Sequence, residues 1–276
     1  MGKIKIITDS TGYIPKKYID ENNITVIPLH YSLGSEMKKE GFPGEFTSFF
    51  RELENSDLFP TTSQPSTGDF LEEFKKAFDE GYEEIIAILL SSELSGTYNN
   101  ALIAKNMLED ERISVIDSRQ SVASLRFLVE DITKMVKDGK NAEEIVDYIE
   151  NKKNNIHVYF TINTLEYLKR GGRLTTFKYV IGSALNIKPI ISFKDGALGL
   201  LEKTRGKNKA VKKIIETIPS DVKRIGVCHI LNYDEAVSLK EKLIKEFPKA
   251  LITIDELGPI VGAHLGPETI GVCYSC

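Results

Sequence analysis

EEIIAILLSSELSGTYNNALIAKNML, residues 83–108, runs from an unbroken apolar stretch through a serine- and glycine-bearing turn into a segment of helical period. The strand predicted at 84–90 holds an unbroken apolar run from Ile85 to Leu90, as expected of a strand covered on both faces in a parallel sheet. A helix over 97–108 follows within a few residues, which makes the whole stretch a strand–turn–helix unit of an α/β sheet. Its turn, 91–97, places the hydroxyls of Ser95 and Thr97 and the backbone N–H groups around Gly96 at the strand end. Anions are favoured at such ends, because free N–H groups and the positive end of the helix dipole meet there.

The same alternation extends outward on both sides. Toward the N-terminus, 3–8 reads as a strand, Pro15 suits the first turn of a helix over 16–22, and 24–29 reads as a second strand. Ser66 and Asp69 have capping-box spacing before an apolar face made by Phe70, Leu71, Phe74, Ala77 and Phe78. Toward the C-terminus come a strand at 113–116, a long helix over 121–136 and a helix capped by Asn141. Segment 32–46 has no usable periodicity. Parallel crossovers in a three-layer arrangement follow from this order.

Past residue 156 the character changes. A strand at 157–162 leads to a short helix ended by Gly171-Gly172, and apolar runs at 187–193 and 197–203 flank the hairpin signature Lys194-Asp195-Gly196. Helices at 207–218 and 232–247 alternate with strands at 224–230, 251–256 and 269–274. Hairpins mixed with crossovers predict a mixed sheet with helices on one side. The fold expected is α/β with two domains. Residues 1–155 form an α/β/α three-layer domain with a parallel sheet, and 156–276 a smaller two-layer α/β domain with a mixed sheet. No Pro- or Ser-rich linker separates them, which favours a ligand cleft between the two.

Composition excludes several classes. The 276 residues carry a net charge of −4, against a broad nucleic-acid-binding face. No apolar run approaches the roughly 18–20 residues of a membrane span. The opening MGKIKIITDS shows no apolar signal region, so a cytoplasmic protein is expected, and a Met1-Gly2 myristoylation reading is weak because Lys5, Ile6 and Ile7 continue into a strand. Three cysteines are too few for a disulfide scaffold. Cys273 and Cys276 have C-x-x-C spacing, but a redox pair would open a helix and a zinc site would need a second pair; a solvent-frayed end is expected instead. No metal and no cofactor is expected.

Further polar islands sit beside strand-like runs: TDSTGYIP (8–15), TTSQPSTGDF (61–70), IDSRQS (116–121), LEYLKRGGRL (165–174), NIKPI (186–190) and GPIVGAHLGPETIG (258–271). Thr62, Ser63 and Gln64 lie in an extended pre-proline segment, either facing a cleft or solvated as an ordinary loop. Ser95 is either a helix cap or a ligand donor. Asp9 reads as structural, held by loop N–H groups. His264, between Gly262 and Gly266, is expected on a loop with its imidazole free for a ligand, whereas His30, His157 and His229 sit in apolar runs. Arg173 follows Gly171-Gly172 and Arg205 precedes Gly206, and each suits a carboxylate or phosphate. H-E-x-x-H, G-x-S-x-G, G-x-G-x-x-G and the P-loop pattern are absent. The residues by themselves lead to a two-domain α/β protein with an anion-binding cleft.

In order and spacing the islands resemble the DegV family of bacterial fatty-acid-binding proteins, over nearly the whole chain. TDST, TSQPS (62–66), LSGT (94–97), LEYLKRGGRL, NIKPI, KTRG (203–206) and GAHLGP (262–267) carry the resemblance. It implies the two-domain fold and a long-chain fatty acid, such as palmitate, between the domains, its carboxyl group held by Thr62 and Ser95. Ser63, Gly96, Thr97 and His264 fall in the same matched motifs. It also implies that the fatty acid is presented to a separate fatty acid kinase catalytic subunit, which makes an acyl phosphate from ATP. An acyltransferase in phospholipid synthesis is a further implied partner. Arg173, Arg205 and His264 match basic positions suited to transfer or kinase docking. Two departures stand out: Glu268 replaces a frequent family glycine, and Leu125 and Arg126, where small residues are common, are expected to narrow the pocket. A carrier of this kind needs no nucleophile. Rival readings are a serine esterase or thioesterase using Ser95 with His264, and a kinase subunit binding a hydroxyketone through a histidine.

Overall fold

A computed structural model of the chain describes residues 3–173 and 187–276. Leu174, the last residue of LEYLKRGGRL, Asn186, the first of NIKPI, and the Met1-Gly2 start lie outside the described residues. The first half runs β1 (Ile4–Asp9), α1 (Lys16–Asn22), β2 (Thr25–Ile27), β3 (His30–Ser32), β4 (Met37–Lys39), α2 (Thr47–Glu54), β5 (Thr61–Ser63), α3 (Thr67–Asp79), β6 (Glu84–Leu89), α4 (Thr97–Leu108), β7 (Ile113–Asp117), α5 (Val122–Lys137) and α6 (Ala142–Lys152). The strands β2-β1-β6-β7 make a 4-stranded sheet, parallel throughout, with Ile6 opposite Ile86 and Ile88 opposite Ile116. Helix α3 starts at the foreseen capping box: Asp69 N–H donates to Ser66 Oγ at 3.2 Å, and Ser66 N–H to Asp69 Oδ2 at 2.7 Å.

The second half runs β8 (Ile156–Thr161), α7 (Glu166–Arg170), β9 (Ile187–Lys194), β10 (Ala197–Arg205), α8 (Lys207–Ile215), β11 (Arg224–His229), α9 (Tyr233–Glu246), β12 (Leu251–Glu256), α10 (Pro259–Leu265) and β13 (Ile270–Ser275). Its 6-stranded sheet has the order β10-β9-β8-β13-β11-β12 and is mixed: β11 and β12 are parallel and the other neighbours antiparallel. The fold is therefore α/β with a parallel sheet and a separate mixed one. A small antiparallel sheet, β4-β3-β5, was not legible in the sequence; β4 falls in segment 32–46, and all three strands, of three residues each, are too short to show a period.

Helices α3 and α4 cover the outer face of the parallel sheet, where Phe70, Phe74, Ala101 and Ala104 meet Ile85, Ala87 and Leu89. Helices α8 and α9 cover the far face of the mixed sheet through Ala210, Ile214, Leu239 and Leu243. Between the sheets lies α5: Leu125, Leu128 and Ile132 share one buried cluster with Ile86 and Ile88 of one sheet and Val158, Phe160 and Cys273 of the other. The mixed sheet thus has its own helices on one side, as expected, while its second face is covered by a helix of the first half.

Two expectations are corrected. The end of the chain is not frayed: β13 is buried along its length, because both of its edges are paired, to β8 and to β11. Cys273 there lies 3.6 Å, sulfur to sulfur, from Cys228 on the neighbouring strand, and both are free thiols. Nor do Leu125 and Arg126 narrow a pocket. Leu125 is wholly buried in the core, and the Arg126 guanidinium reaches Asp255 Oδ1 at 2.8 Å, Thr253 Oγ1 at 2.9 Å and Glu130 Oε1 at 2.5 Å.

Candidate ligand-binding site

The ends of β1 and β6 are tied by Asp9, as expected of a structural residue: Oδ1 accepts from Thr11 N–H at 2.9 Å and Oδ2 from Leu90 N–H at 2.7 Å. Above these ends opens a cleft that encloses about 720 Å³ of space, open solvent at its mouth included. Leu29, Leu90 and Val122 form its wall on one side, Phe160, Phe193 and Leu198 on the other, and α10 contributes Ile260, Val261, His264 and Leu265. The β9–β10 hairpin turn closes one side, where the buried Ser91 hydroxyl donates to the Gly196 carbonyl at 2.8 Å. The cleft therefore lies between the two main sheets.

Its polar end gathers Thr62, Ser63, Gln64, Ser95, Arg173 and His264. Thr62 Oγ1 and His264 Nε2 are 2.8 Å apart. In the tautomer with hydrogen on Nε2, the imidazole donates to the threonine oxygen and leaves the threonine proton free for a ligand. Ser95 is backed in the same way, its oxygen 2.9 Å from Thr97 Oγ1 and 3.4 Å from the Thr97 N–H. Arg173 spends Nε on the Leu94 carbonyl (3.2 Å) and Nη1 on the Gly171 carbonyl (2.7 Å). Among the described residues no carboxylate forms an ion pair with this half-buried guanidinium, whose pKa burial pulls down.

Most of the expected site residues come together, with corrections. His264 sits not on a loop but in the last turn of α10, and Gly171 packs so closely on its ring that a side chain at that position would collide with Nδ1. Thr97 is buried behind Ser95 rather than lining the cleft, and Gly96 lies beneath the Gln64 amide, 2.5 Å from where a Cβ would stand. Ser95 is not the N-cap of α4, which is Gly96, although its oxygen accepts a long bond from the Thr97 N–H. Ser63 lines the exposed mouth. Arg205, exposed at the end of β10, is not part of the cleft wall. Glu268 is exposed and accepts from the Asn163 amide. Gln64 lines the cleft beside Thr62, and Thr11 and Ser121, which lie in the polar islands, line it without having been singled out.

His264 is the site's one strongly shifted base. Burial, and then the neighbouring positive charge of Arg173, lower its pKa to about 4. Its folded pKa is below the unfolded value near 6.5, so the stability it contributes is full above that value and is lost as pH falls toward 4. In the lipid-free protein its ring resonances are expected not to titrate above about pH 5, a bound of roughly one unit above the shifted value. A midpoint near 6.5 in an NMR titration would show that the ring is solvated instead.

The apolar cleft carries at its polar end two backed hydroxyls, a histidine and a guanidinium with no ion pair among the described residues, groups that suit the head of an amphipathic anion. The sequence profile described as "Uncharacterised protein, DegV family" matches residues 3–276. The protein DegV of Bacillus subtilis is 31% identical over 98% of both chains, and a DegV domain-containing protein of Halalkalibacterium halodurans is 35% identical over 99% of both. The chain belongs to the DegV family. The crystal structure of DegV from Bacillus subtilis, described as a fatty acid binding protein, superposes with a TM-score of 0.91 at 31% identity, covering 100% of this chain and 99% of that one. A Thermus thermophilus DegV family protein, described for its fatty acid binding, gives 0.90 at 27% identity over 99% and 100%. Among the described residues no helix is long and apolar enough to cross a membrane.

Proposed function

We propose that this chain binds a long-chain fatty acid in the cleft between units 1–155 and 156–276 and presents its carboxyl group to a separate kinase subunit for acyl-phosphate formation. One observation carries the reading. Thr62 and Ser95 each have a neighbour able to donate to their oxygen, and Arg173 lines the same cleft with no carboxylate paired to it among the described residues. A buried carboxylate needs such donors. The apolar wall suits the tail, since each buried methylene contributes roughly 0.8 kcal/mol, on the order of 11 kcal/mol for about fourteen before ordering costs. Fatty acid binding by relatives of the same fold agrees with this. The reading implies a cytoplasmic protein, where ATP is available to the kinase, with an acyltransferase as the later recipient.

Ser95 and His264 each engage a threonine rather than one another, and His264 Nδ1 has no carboxylate to orient it among the described residues. That arrangement favours holding a ligand over the nucleophile–base pair of an esterase. Exposed Arg205 suits the kinase encounter. Arg205→Ala is expected to leave fatty-acid affinity within a few-fold and to depress acyl-phosphate formation with a cognate kinase.

The freshly purified protein is expected to release a C14–C18 fatty acid on extraction and to lose thermal stability when stripped. Ligand bound only to the folded state stabilises it by about 2.7 kcal/mol at a hundredfold excess over Kd. Native mass spectrometry and a melting curve check both. Lipid-free protein with no shift on adding any such acid would sink the proposal.

A further inference from the structure

Glu40 lies just beyond β4 in the segment the sequence pattern leaves unassigned, and it is 5% exposed. Among the described residues no cation pairs with it, unlike buried Arg126. Its carboxylate faces donors only: the Ser10 hydroxyl at 2.6 Å from Oε2, the Tyr13 hydroxyl at 3.2 Å from Oε1 and the Ile260 N–H at 2.8 Å from Oε1. Ser10 Oγ also accepts from the Leu29 N–H at 3.1 Å. The Tyr13 oxygen accepts from the Val261 N–H at 3.2 Å.

These contacts hold the start of α10. Gly258, its N-cap, supplies no side-chain cap, and the first N–H groups of the helix are satisfied by Glu40 and Tyr13 instead. Gly258 also lets the backbone lie directly on the carboxylate, since a Cβ there would stand 2.7 Å from Glu40 Oε1. The same short helix brings Ile260, Val261, His264 and Leu265 to the cleft wall. Its seating therefore sets the Thr62–His264 contact.

We infer that Glu40 is a positioning residue for the cleft: its carboxyl group seats the start of α10, and replacing it loosens the helix and weakens ligand binding. This rests on the fatty-acid reading of the cleft. Burial raises the Glu40 pKa to about 7, against the lowering by Ser10, Ile260 and Tyr13; Asp9 adds a smaller upward push. Of the other titratable groups facing it, Tyr13 and Tyr31 are themselves pushed up, mainly by burial, and stay neutral, while the Asp9 carboxylate is taken by Thr11 and Leu90. Phe46 and Gly258 bring no titratable group.

By linkage the carboxyl group holds its proton more tightly under α10 than it would once the helix loosened and hydrated it, so acid by itself does not unseat the helix. Removing the side chain does, because the Ile260 N–H then loses its acceptor. The test measures binding of a sixteen-carbon alkyl sulfonate and of palmitate at pH 8. Glu40→Ala is expected to weaken both about ten-fold, and Glu40→Gln, whose amide oxygen can still accept from the Ile260 N–H, to lose less. Tyr13→Phe removes the oxygen that accepts from the Val261 N–H and should weaken binding in the same direction, and it serves if the alanine variant does not fold. Faster hydrogen exchange at Ile260 and Val261 in these variants is the matching structural signal. Unchanged affinity in Glu40→Ala, or unchanged exchange at Ile260 and Val261, overturns this inference alone. If neither probe binds to the wild type at pH 8, the reading of the cleft fails and takes this inference with it.

Discussion

The double variant Thr62→Ala/Ser95→Ala is expected to bind a long-chain fatty acid at least about a hundred-fold more weakly than wild type. Each hydroxyl offers a charge-assisted hydrogen bond to a carboxylate, worth about 1.5–3 kcal/mol, and tenfold in affinity corresponds to about 1.4 kcal/mol. The fold should survive, because Thr62 lies on a short strand at the mouth of the cleft and Ser95 in a loop, neither among the buried residues. The losses should be less than additive, since Arg173 and Gln64 remain to hold the head group. Thr62→Ser should retain most of the affinity by keeping the oxygen beside His264 Nε2. Isothermal titration at pH 8 measures all of these. Unchanged affinity in the double variant would move the head group elsewhere in the cleft.

Arg126→Ala is expected to cost about 3–5 kcal/mol of stability, as removal of one partner from a buried ion pair does. The guanidinium, its side chain 7% exposed, ties α5 to the edge of the mixed sheet through Asp255, itself 9% exposed. Its loss leaves Asp255 buried without its cation. Replacing both partners, Arg126→Met with Asp255→Leu, should recover most of the loss, because an apolar pair of similar size avoids desolvation. Denaturant unfolding of the two single variants and the double variant measures the coupling. A loss under about 1 kcal/mol for Arg126→Ala would match an exposed pair instead.

The contrast between Arg126 and Ser66 shows what the amino-acid sequence could reveal. The capping box at Ser66 and Asp69, the buried strand β6 and the helix after Gly96 are local signals, complete within a few residues, and each is where the pattern puts it. Arg126 looks like any helical arginine until Asp255, far along the chain, is brought to it by the second sheet. Helix α10 was misread for a related reason. Pro259 at its first position and Gly266 past its end were visible signals, yet seven residues interrupted by Gly262 look like a loop. What holds their start is Glu40, from a segment without periodicity. The polar islands that hold Thr62, Ser95, Arg173 and His264 were legible, and the structure brings these four to one cleft. The separation of exposed Arg205 from them was not legible, since adjacency to a glycine says nothing about which sheet edge a side chain occupies.

The position of α5 has a consequence for how a ligand enters and leaves. One apolar cluster runs from the parallel sheet through this helix into the mixed sheet. A hinge swing of one half against the other would have to tear that cluster open, and its cost would rise toward that of unfolding. Exchange is therefore left to the margins: the hairpin turn that Ser91 clasps at Gly196, and the short helix α10. Such peripheral openings draw on a small part of the total stability. A rigid frame with movable rims can hold a tail for a long residence time while its head group stays within reach of solvent.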